Sequence, residues 1–490
     1  MKRKRRSIGT NEAVLTQWRQ YRRGGGRIKR RRVVAAGCRS ALLALQSLSR
    51  PLLKHDWSLA LAPKRYALVG TGHRALGMFA KPLCNDFPDT AELVGLCDAN
   101  PLRVDAVAAM LPKPVPTFTD FDAMLAATEP DAVAVATKDC SHTDYVIAAL
   151  RAGRRVICEK PLCTTADQCR AILDTEARSD GECRVTHNAR YGATDTAIRD
   201  IIQSGRLDRV LTMHFHETLD RCHGADYFRR WHRVRANSGG LLIHKACHHF
   251  DCLNWWADSE PVWVSAQGSR QFYGDRGPFC GPRCSDCPHV DDCDFYTDLF
   301  QKDVYRRLYR ECESADGYFR DGCVFDPEID IEDQMGVLIR YANGVEVSYT
   351  LVAYSPYESQ RVFIEFERGR LEYTIRYNTG FASGSQRVPG IEELMTESVK
   401  LYVPGEGVED VPLERTEGGH GGADPQLRAD HFGRDWDAEP TERMASLKEA
   451  VNAVLIGAAA NRSIATGEPV EVQKLLRKRG RGSFSEPVSP

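Results

Sequence analysis

Short apolar runs alternate with amphipathic segments through the first half of the chain. The runs RYALVG, AELVGLCD, DAVAVAT and RVICEKP are largely apolar on both faces, as buried strands are. Between them, PLRVDAVAAML has proline in its first turn, and SHTDYVIAALRAG begins at serine and stops at glycine, so both are predicted helices. Buried strands separated by helices predict an α/β fold with a parallel sheet covered on both faces.

A different pattern follows Val262. The stretches PVWVSAQGSRQF, MGVLIRYANGVEVSYTLVAY and QRVFIEFERGRLEYTI are strand-like, and the second contains the Asn-Gly of a tight hairpin. They predict a second α/β domain with a large open, mainly antiparallel sheet. Because 490 residues exceed one hydrophobic core, we divide the chain at residues 1–62, 63–186, 187–475 and 476–490, with a cysteine-rich insert at 278–325.

Charge separates the N-terminal extension from the rest of the chain. Residues 1–33 carry thirteen Lys and Arg and one acid, whereas the remainder has 53 basic and 66 acidic residues, a net charge of −13. A basic tail can contact nucleic acid or acidic lipid, but the acidic body argues against nucleic acid as the main partner. No apolar run reaches the roughly 18–20 residues of a membrane span.

The run RRRVVAAGCRSALLALQSLSR resembles an export signal. Only four apolar residues precede Gly37-Cys38, however, fewer than the roughly 7–15 that a signal needs. The 17 cysteines are an odd number and are scattered, which fits reduced thiols. We therefore expect a cytoplasmic protein with an uncleaved extension, or a start assigned too far upstream, and leave export open.

The stretch GTGHRALG follows the first strand and opens a helix, in the dinucleotide-binding pattern G-x-G-x-x-G/A. Gly70 allows the tight turn, Gly72 lets the backbone approach a pyrophosphate, and Ala75 fills the third small position. Asp98 ends the second strand, where an acid binds the adenosine ribose and favours NAD, while Arg103 leaves NADP open. These features predict a Rossmann domain, although such a turn can also be a helix cap without a ligand. The other predicted cofactor contacts are His73, Arg74, Thr137, His142, Glu159 and Lys160.

Lys160, in CEKPL, follows a buried strand at the carboxyl edge of the predicted sheet, and Pro161 fixes the turn after it. A nicotinamide ring would lie at this edge. We therefore interpret Lys160 as a functional residue, with a solvated surface lysine as the alternative.

Five stretches together resemble the glucose–fructose oxidoreductase / inositol dehydrogenase / MocA (Gfo/Idh/MocA) family, from about Arg65 to Val470. They are ALVGTGHRALG, VGLCDANPLR, DAVAVAT…SHTDYVIAALRAGRRVICEKPL, NARYGATDTAIRDIIQSGRL and GGLLIHKACHHFDCLNWW. The resemblance implies a Rossmann domain followed by an α/β domain whose open sheet covers the nicotinamide. It also implies NAD(P)-linked oxidation or reduction of a sugar or cyclitol hydroxyl, in a homodimer or homotetramer.

In this family a Gly-Gly pair precedes an acid and, four residues later, a histidine, and both face the reacting hydroxyl. The histidine corresponds to His248, but the acid position holds His244. Residues four apart share a helix face, and a histidine can take the hydroxyl proton. We predict His248 as general base, Lys160 as proton relay and positioning group, and His244 as a second polarising or relay group. Two alternatives stay open: buried histidines without a function, and a zinc site with a third ligand such as His187, His214 or His216.

Further polar and aromatic residues are predicted to contact the substrate. The resemblance implies Arg190 and Tyr191, in THNARYG. The run YFRRWHR offers Tyr227, Arg230 and Trp231, which suit a hydroxylated ring or an anionic substituent, unless the run is an exposed basic loop. His420 lies in EGGHGGAD, which is either a closing active-site segment or a linker.

The insert contains FCGPRCSDCPHVDDCDFY, with Cys280, Cys284, Cys287 and Cys293 within fourteen residues. Four thiols this close can hold one tetrahedral ion, so we predict structural zinc. Free or regulatory thiols and an iron–sulfur cluster are the alternatives.

The sequence thus predicts an NAD(P)-dependent oxidoreductase acting on a hydroxyl of a sugar, glycoside or cyclitol. One alternative is a glycosidase that oxidises a ring hydroxyl transiently, eliminates the aglycone and reduces the product again. Another is a non-catalytic nucleotide-binding sensor.

Overall fold

Six parallel strands form the first sheet of the computed structural model, which describes residues 62–377, 388, 390, 396–436 and 438–477. The strands are β1 (Lys64–Val69), β2 (Ala91–Cys97), β3 (Thr117–Phe118), β4 (Ala132–Val135), β5 (Arg155–Cys158) and β6 (Cys183–Val185). The helices around them are α1 (His73–Ala75), α2 (Lys81–Asn85), α3 (Pro101–Ala108), α4 (Phe121–Thr128), α5 (His142–Arg151) and α6 (Ala166–Glu176). A π-helical turn over Leu76–Ala80 joins α1 to α2.

The strand order is β3-β2-β1-β4-β5-β6, and all neighbours are parallel. The order reverses between β1 and β4, so a crevice opens at the carboxyl ends of these strands, where α/β sheets bind ligands. This sheet confirms the predicted Rossmann architecture.

Nine strands form the second sheet, in the order β14-β13-β12-β11-β7-β10-β9-β8-β15. The strands are β7 (Val210–Asp220), β8 (Pro261–Ser269), β9 (Gln334–Tyr341), β10 (Glu346–Ser355), β11 (Glu358–Phe366), β12 (Gly369–Tyr377), β13 (Thr396–Val403), β14 (Gly407–Asp410) and β15 (Val470–Glu471). Only β7 and β10 pair in parallel, so the sheet is mainly antiparallel, as predicted. The hairpin between β9 and β10 turns at Asn343-Gly344, where Gly344 has φ +91°.

The helices of this part are α7 (Ala193–Gln203), α8 (Arg221–Arg229), α9 (Arg235–Ser238), α10 (Leu241–His244), α11 (Cys247–Ala257), α12 (Asp303–Leu308), α13 (Glu313–Asp316), α14 (Ala423–Phe432) and α15 (Leu447–Thr466). The insert lies between β8 and β9 and contains α12 and α13. Within the described ranges, no helix is both long and apolar enough to cross a membrane. The predictions for the N-terminal extension and for the tail after residue 477 fall outside the described residues.

Side chains of β1 alternate between two buried clusters on opposite faces of the first sheet. Ala67 and Val69 belong to one cluster, which continues into the second sheet, and Tyr66 and Leu68 belong to the other. The cluster with Tyr66 also contains residues from the insert and from α14: Leu308, Tyr309, Leu427 and Phe432. The insert is therefore packed into the core of the Rossmann domain.

Candidate active site

The glycine-rich turn after β1 has the geometry of a dinucleotide cradle. Gly70 has φ +86°, and a Cβ atom there would lie 2.5 Å from the Ala136 carbonyl oxygen, so only glycine fits. Gly72 precedes the first helical residue, His73. Asp98 Oδ2 accepts hydrogen bonds from the backbone N–H and the hydroxyl of Thr71, both at 2.8 Å. These residues fit an NAD(P) molecule, with its phosphates at the turn and its adenosine ribose near Asp98.

Arg103, because of which the sequence leaves NADP as an alternative cofactor, contacts two carboxylates. Its guanidinium lies 3.4 Å from Asp98 Oδ1 and 2.6 Å from Asp316 Oδ2 of the insert. Its Nε donates to the Leu308 carbonyl at 3.2 Å. Because these partners engage the guanidinium, it is poorly placed to receive a 2′-phosphate.

The insert also reaches the phosphate-binding turn. The Tyr309 hydroxyl accepts a hydrogen bond from the His73 backbone N–H at 3.0 Å. Asn100, which caps α3, donates to the Cys312 carbonyl at 2.9 Å. A hydroxyl oxygen thus lies against the amide that a cofactor phosphate would approach.

The loops after β4 and β5 are tied together by His142. Its Nδ1 lies 2.8 Å from the Pro161 carbonyl and its Nε2 lies 3.2 Å from the Thr137 carbonyl. The Thr137 hydroxyl accepts from Ser141 Oγ at 2.8 Å, and the peptide bond before Pro161 is cis. His142 is buried, so it acts by positioning both loops at the crevice.

Arg74 and Glu159, two predicted cofactor contacts, pair with each other. Arg74 Nε lies 2.8 Å from Glu159 Oε1, and its Nη1 lies 2.7 Å from Asp424 Oδ2 at the start of α14. Asp424 also accepts from Asn188 at 3.0 Å and pairs with His420 at 2.8 Å. This network connects the Rossmann turn, the loop before Lys160 and the EGGHGGAD segment, with His420 at its exposed end.

Lys160 and His244 meet at the crevice. The Lys160 ammonium donates to the His244 carbonyl at 3.1 Å. His244 Nδ1 lies 2.6 Å from Asp139 Oδ2, in the loop after β4. Burial raises the pKa of Asp139, and burial followed by the charge of Lys160 lowers that of His244 well below 6.5. Both pKa shifts disfavour the charged forms, the Asp139 carboxylate and the His244 imidazolium. They favour a neutral His244 imidazole that is oriented by its hydrogen bond with Asp139.

His248 lies apart from His244. The helix that the sequence predicts through both residues is interrupted after His244: α10 ends there, and α11 starts at Cys247. The His248 ring faces His187, with centroids 6.4 Å apart, and its buried Nδ1 has no hydrogen-bond partner among the described residues. Burial, then Lys160, lowers the pKa of His248 well below 6.5, so the imidazole is neutral and can accept a proton.

The Gly-Gly turn aims α10 into the crevice. Gly239 has φ +70°, and a Cβ there would lie 2.8 Å from Ile243 Cδ1. Around His244 stand aromatic rings predicted from YFRRWHR: the centroid distances are 5.5 Å to Tyr227 and 5.6 Å to Trp231. Arg230 pairs with Asp226 and lies 3.5 Å from His232 Nε2. This run is largely buried and packs around His244, so it is not an exposed basic loop.

The predicted substrate contacts at Arg190 and Tyr191 are not supported. Arg190 is buried and forms a bidentate ion pair with Asp251 at 2.7 and 2.8 Å. It also pairs with Glu449 at 2.8 Å. Tyr191 is 1% exposed and packs under Arg443. Asp251 is thus a satisfied polar contact, and its partner Arg190 joins helices instead of facing the crevice.

A family model for the NAD-binding Rossmann fold of Gfo/Idh/MocA oxidoreductases matches residues 64–187, and one for the C-terminal alpha/beta domain matches residues 199–472. The chain belongs to the Gfo/Idh/MocA oxidoreductase family. It is 33% identical to the oxidoreductase YteT of Bacillus subtilis (strain 168) in an alignment of 439 residues. The alignment covers 84% of this chain and 99% of YteT.

One further relative matches part of the chain, and one solved structure shares its fold. Inositol 2-dehydrogenase of Rhizobium meliloti (strain 1021) is 29% identical over 218 residues, 44% of this chain and 62% of that enzyme. A levoglucosan dehydrogenase, solved with NADH and L-sorbose, shares the fold with a TM-score of 0.58 and 19% identity over 84% of this chain and 99% of its own. This Gfo/Idh/MocA chain is accordingly an oxidoreductase with an NAD(P)-binding domain.

Within this family member, the cysteines of the insert are grouped differently from the prediction. Cys284, Cys287, Cys293 and Cys323 line one small cavity, whereas Cys280 is exposed. Arg229 donates to Cys284 Sγ at 3.0 Å. Across the described part of the chain, no three His, Cys, Asp or Glu side chains are arranged to hold a metal ion. This arrangement supports neither the predicted zinc site nor the alternative metal at His244 and His248.

Sequence reasoning missed two residues that contact predicted site residues: Asp139, which bonds to His244, and Tyr309, which bonds to the His73 amide. Asp139 had a signal, because it comes shortly after the buried run DAVAVAT as Lys160 comes shortly after the strand RVIC, and the parallel neighbours β4 and β5 end at one edge. Tyr309 had none, because it reaches the turn across 236 residues of chain.

Proposed function

We propose that this protein oxidises a secondary hydroxyl of a sugar, glycoside or cyclitol, with NAD as the hydride acceptor. Membership in the Gfo/Idh/MocA family supports the reaction class. The observation that carries the assignment is His248: its buried Nδ1 has no hydrogen-bond partner among the described residues, and Lys160 lies near enough for its charge to lower the pKa of the imidazole.

Each polar residue of the crevice has a distinct role in this proposal. A nicotinamide bound at the crevice would supply the hydride acceptor for the carbon that bears the hydroxyl. His248 takes the hydroxyl proton, which it can do because its lowered pKa keeps it neutral near pH 7. Lys160 holds the hydroxyl oxygen by hydrogen bonding and passes the proton onward. Asp139 fixes the ring of His244, which polarises the same oxygen.

The pair Asp139–His244 supports the proposal that this chain replaces the acid of the family pattern with an acid from another loop. In the family pattern the acid stands where this chain has His244. Here an acid is supplied from the loop after β4, at 2.6 Å from the imidazole. An acid and an imidazole therefore still act together at the reacting hydroxyl, but here the acid belongs to the Rossmann domain.

NAD is the proposed cofactor rather than NADP, because Asp98 lies at the ribose position and Asp316 engages Arg103. A homo-oligomer formed through the second sheet and a structural zinc ion in the insert remain predictions. Light scattering of the purified protein and elemental analysis test these two, respectively.

Turnover tests the proposed function. The wild type is incubated with NAD and a panel of free sugars, cyclitols and aryl glycosides, and both NADH and released aglycone are followed. NADH formation supports the dehydrogenase, whereas aglycone without NADH identifies the glycosidase, and neither signal leaves only a nucleotide-binding sensor. His248→Asn should lower kcat by roughly 10²–10⁴-fold while NAD binding is retained. His214→Asn, on an exposed strand position, is the matched control.

A further inference from the structure

We propose that Arg320, carried by the cysteine-rich insert, binds the pyrophosphate of the dinucleotide, so that the insert forms a wall of the cofactor site. The inference rests on the NAD(P)-binding part of the proposed function. It assigns a cofactor ligand that lies outside the Rossmann domain.

Arg320 is a buried cation with no anion in direct contact among the described residues; the nearby Asp226, whose pKa its charge helps to lower, pairs directly with Arg230. Arg320 is 6% exposed, its Nε has no hydrogen-bond partner, and it forms no ion pair among the described residues. Its guanidinium packs against the rings of Tyr305 and Tyr309, 4.7 Å from each centroid. A buried charge is costly unless it is paired, so this position is suited to a negatively charged ligand.

The position of Tyr309 indicates which ligand this is. Its hydroxyl lies 3.0 Å from the His73 backbone N, beside Gly72, where the motif predicts a phosphate oxygen. Arg320 covers the ring of the same tyrosine and therefore lies next to the phosphate position. The hydroxyl acts as a stand-in for a phosphate oxygen, which would replace it on the amide when the cofactor binds.

The charges around the turn agree with a ligand carrying two negative charges. After burial, four cations lower the pKa of His73 to about 4. These cations are Arg320, Arg230, Lys302 and Arg74. Glu159 and Asp424 pair with Arg74, and Asp226 pairs with Arg230. Arg320 is buried and has no ion pair in the described part of the chain, and the exposed Lys302 adds a second positive charge, so the turn favours a ligand such as a pyrophosphate.

The insert is held in place for this role. Arg103 and Asn100 of the Rossmann domain bond to the Leu308 and Cys312 carbonyls at 3.2 and 2.9 Å. Leu308 is fully buried in the Rossmann core. Because these anchors flank Tyr309, the loop that carries Arg320 is positioned before a ligand arrives.

Binding of ADP-ribose and of adenosine to the full-length protein, measured by calorimetry, tests the proposal without turnover. Arg320→Met should weaken ADP-ribose roughly 10- to 100-fold and leave adenosine, which has no phosphate, unchanged. Arg320→Lys should retain part of the affinity. Tyr309→Phe should bind ADP-ribose at least as tightly as the wild type, because the His73 amide then loses a competing acceptor.

Arg306→Met is the matched control, since Arg306 is an exposed arginine of the same insert, paired with Asp303 and Glu311. It should change neither affinity. Unchanged ADP-ribose binding in Arg320→Met would overturn the proposal, and if that variant also loses acidic sugars selectively, the arginine binds a substrate carboxylate. A wild type that binds ADP-ribose but oxidises no sugar would contradict the proposed function and leave this inference intact.

Discussion

Replacing Arg190 with methionine should destabilise the protein strongly while leaving its chemistry almost unchanged. The Arg190 and Asp251 side chains are both 0% exposed and are joined by two hydrogen bonds of 2.7 and 2.8 Å. Arg190→Met leaves the Asp251 carboxylate buried without its partner, which costs about 3–5 kcal/mol. The second partner, Glu449, is 39% exposed and adds little, because solvent screens it.

Urea unfolding followed by tryptophan fluorescence measures this cost, since Trp255 packs 5.4 Å from the Arg190 guanidinium. With a slope of about 3 kcal/mol per molar urea, the midpoint should fall by about 1 M or more. Arg190→Met/Asp251→Leu should recover much of the loss, and Arg206→Met, at an exposed ion pair that solvent screens, should leave the midpoint nearly unchanged. If Arg190→Met instead raises KM with an unchanged midpoint, Arg190 contacts substrate and our structural assignment fails.

Three further predictions concern the cofactor, the catalytic pair and acid stability. Asp98→Ser should lower the affinity for NAD and reduce the difference between the affinities for NAD and NADP, as measured in binding assays. A wild type that binds NADP more tightly than NAD would refute the assignment. Asp139→Asn should lower kcat by roughly 10²-fold with NAD affinity retained, whereas Asp144→Asn, an exposed neighbour on α5, should behave as wild type. Burial lowers the pKa values of His187, His232, His244, His248 and His249. These histidines therefore bind more protons when unfolded, so the free energy of unfolding should decline as pH falls below about 6.5. A stability that is constant from pH 7 to about 5 would contradict this.

Several features of the fold follow from local sequence. Alternating buried runs and helices predict the parallel sheet, and the turn GTGHRALG requires glycine at position 70 whatever surrounds it, because φ there is positive. The Asn-Gly pair predicts the hairpin between β9 and β10. β7 was overlooked, although LTMHFHETLD alternates, because its role at the middle of the second sheet depends on partners 134 or more residues away.

The candidate site likewise contains features that local sequence predicts and features that it does not. Lys160 could be predicted as a site residue because a polar residue after a buried strand needs only the strand itself to reach the carboxyl edge of the sheet. The helix expected through His244 and His248 was wrong, because the chain ends α10 at His244, where the side chain bonds to Asp139 and the carbonyl accepts from Lys160. Arg190 looked like a substrate contact in THNARYG, and only its ion pair with Asp251 identifies it as structural.

The sequence by itself determined the Rossmann turn, the sheet that carries it and the family, since each depends on residues close together in the chain. Only the tertiary structure decided which acid orients His244 and that Arg190 is buried in the core. The physical reason is that a charge or hydrogen-bond partner acts through a few ångströms of space. Asp139, Asp251 and Tyr309 are separated from their partners by 105, 61 and 236 residues of chain, respectively. A local sequence pattern cannot predict contacts over such separations.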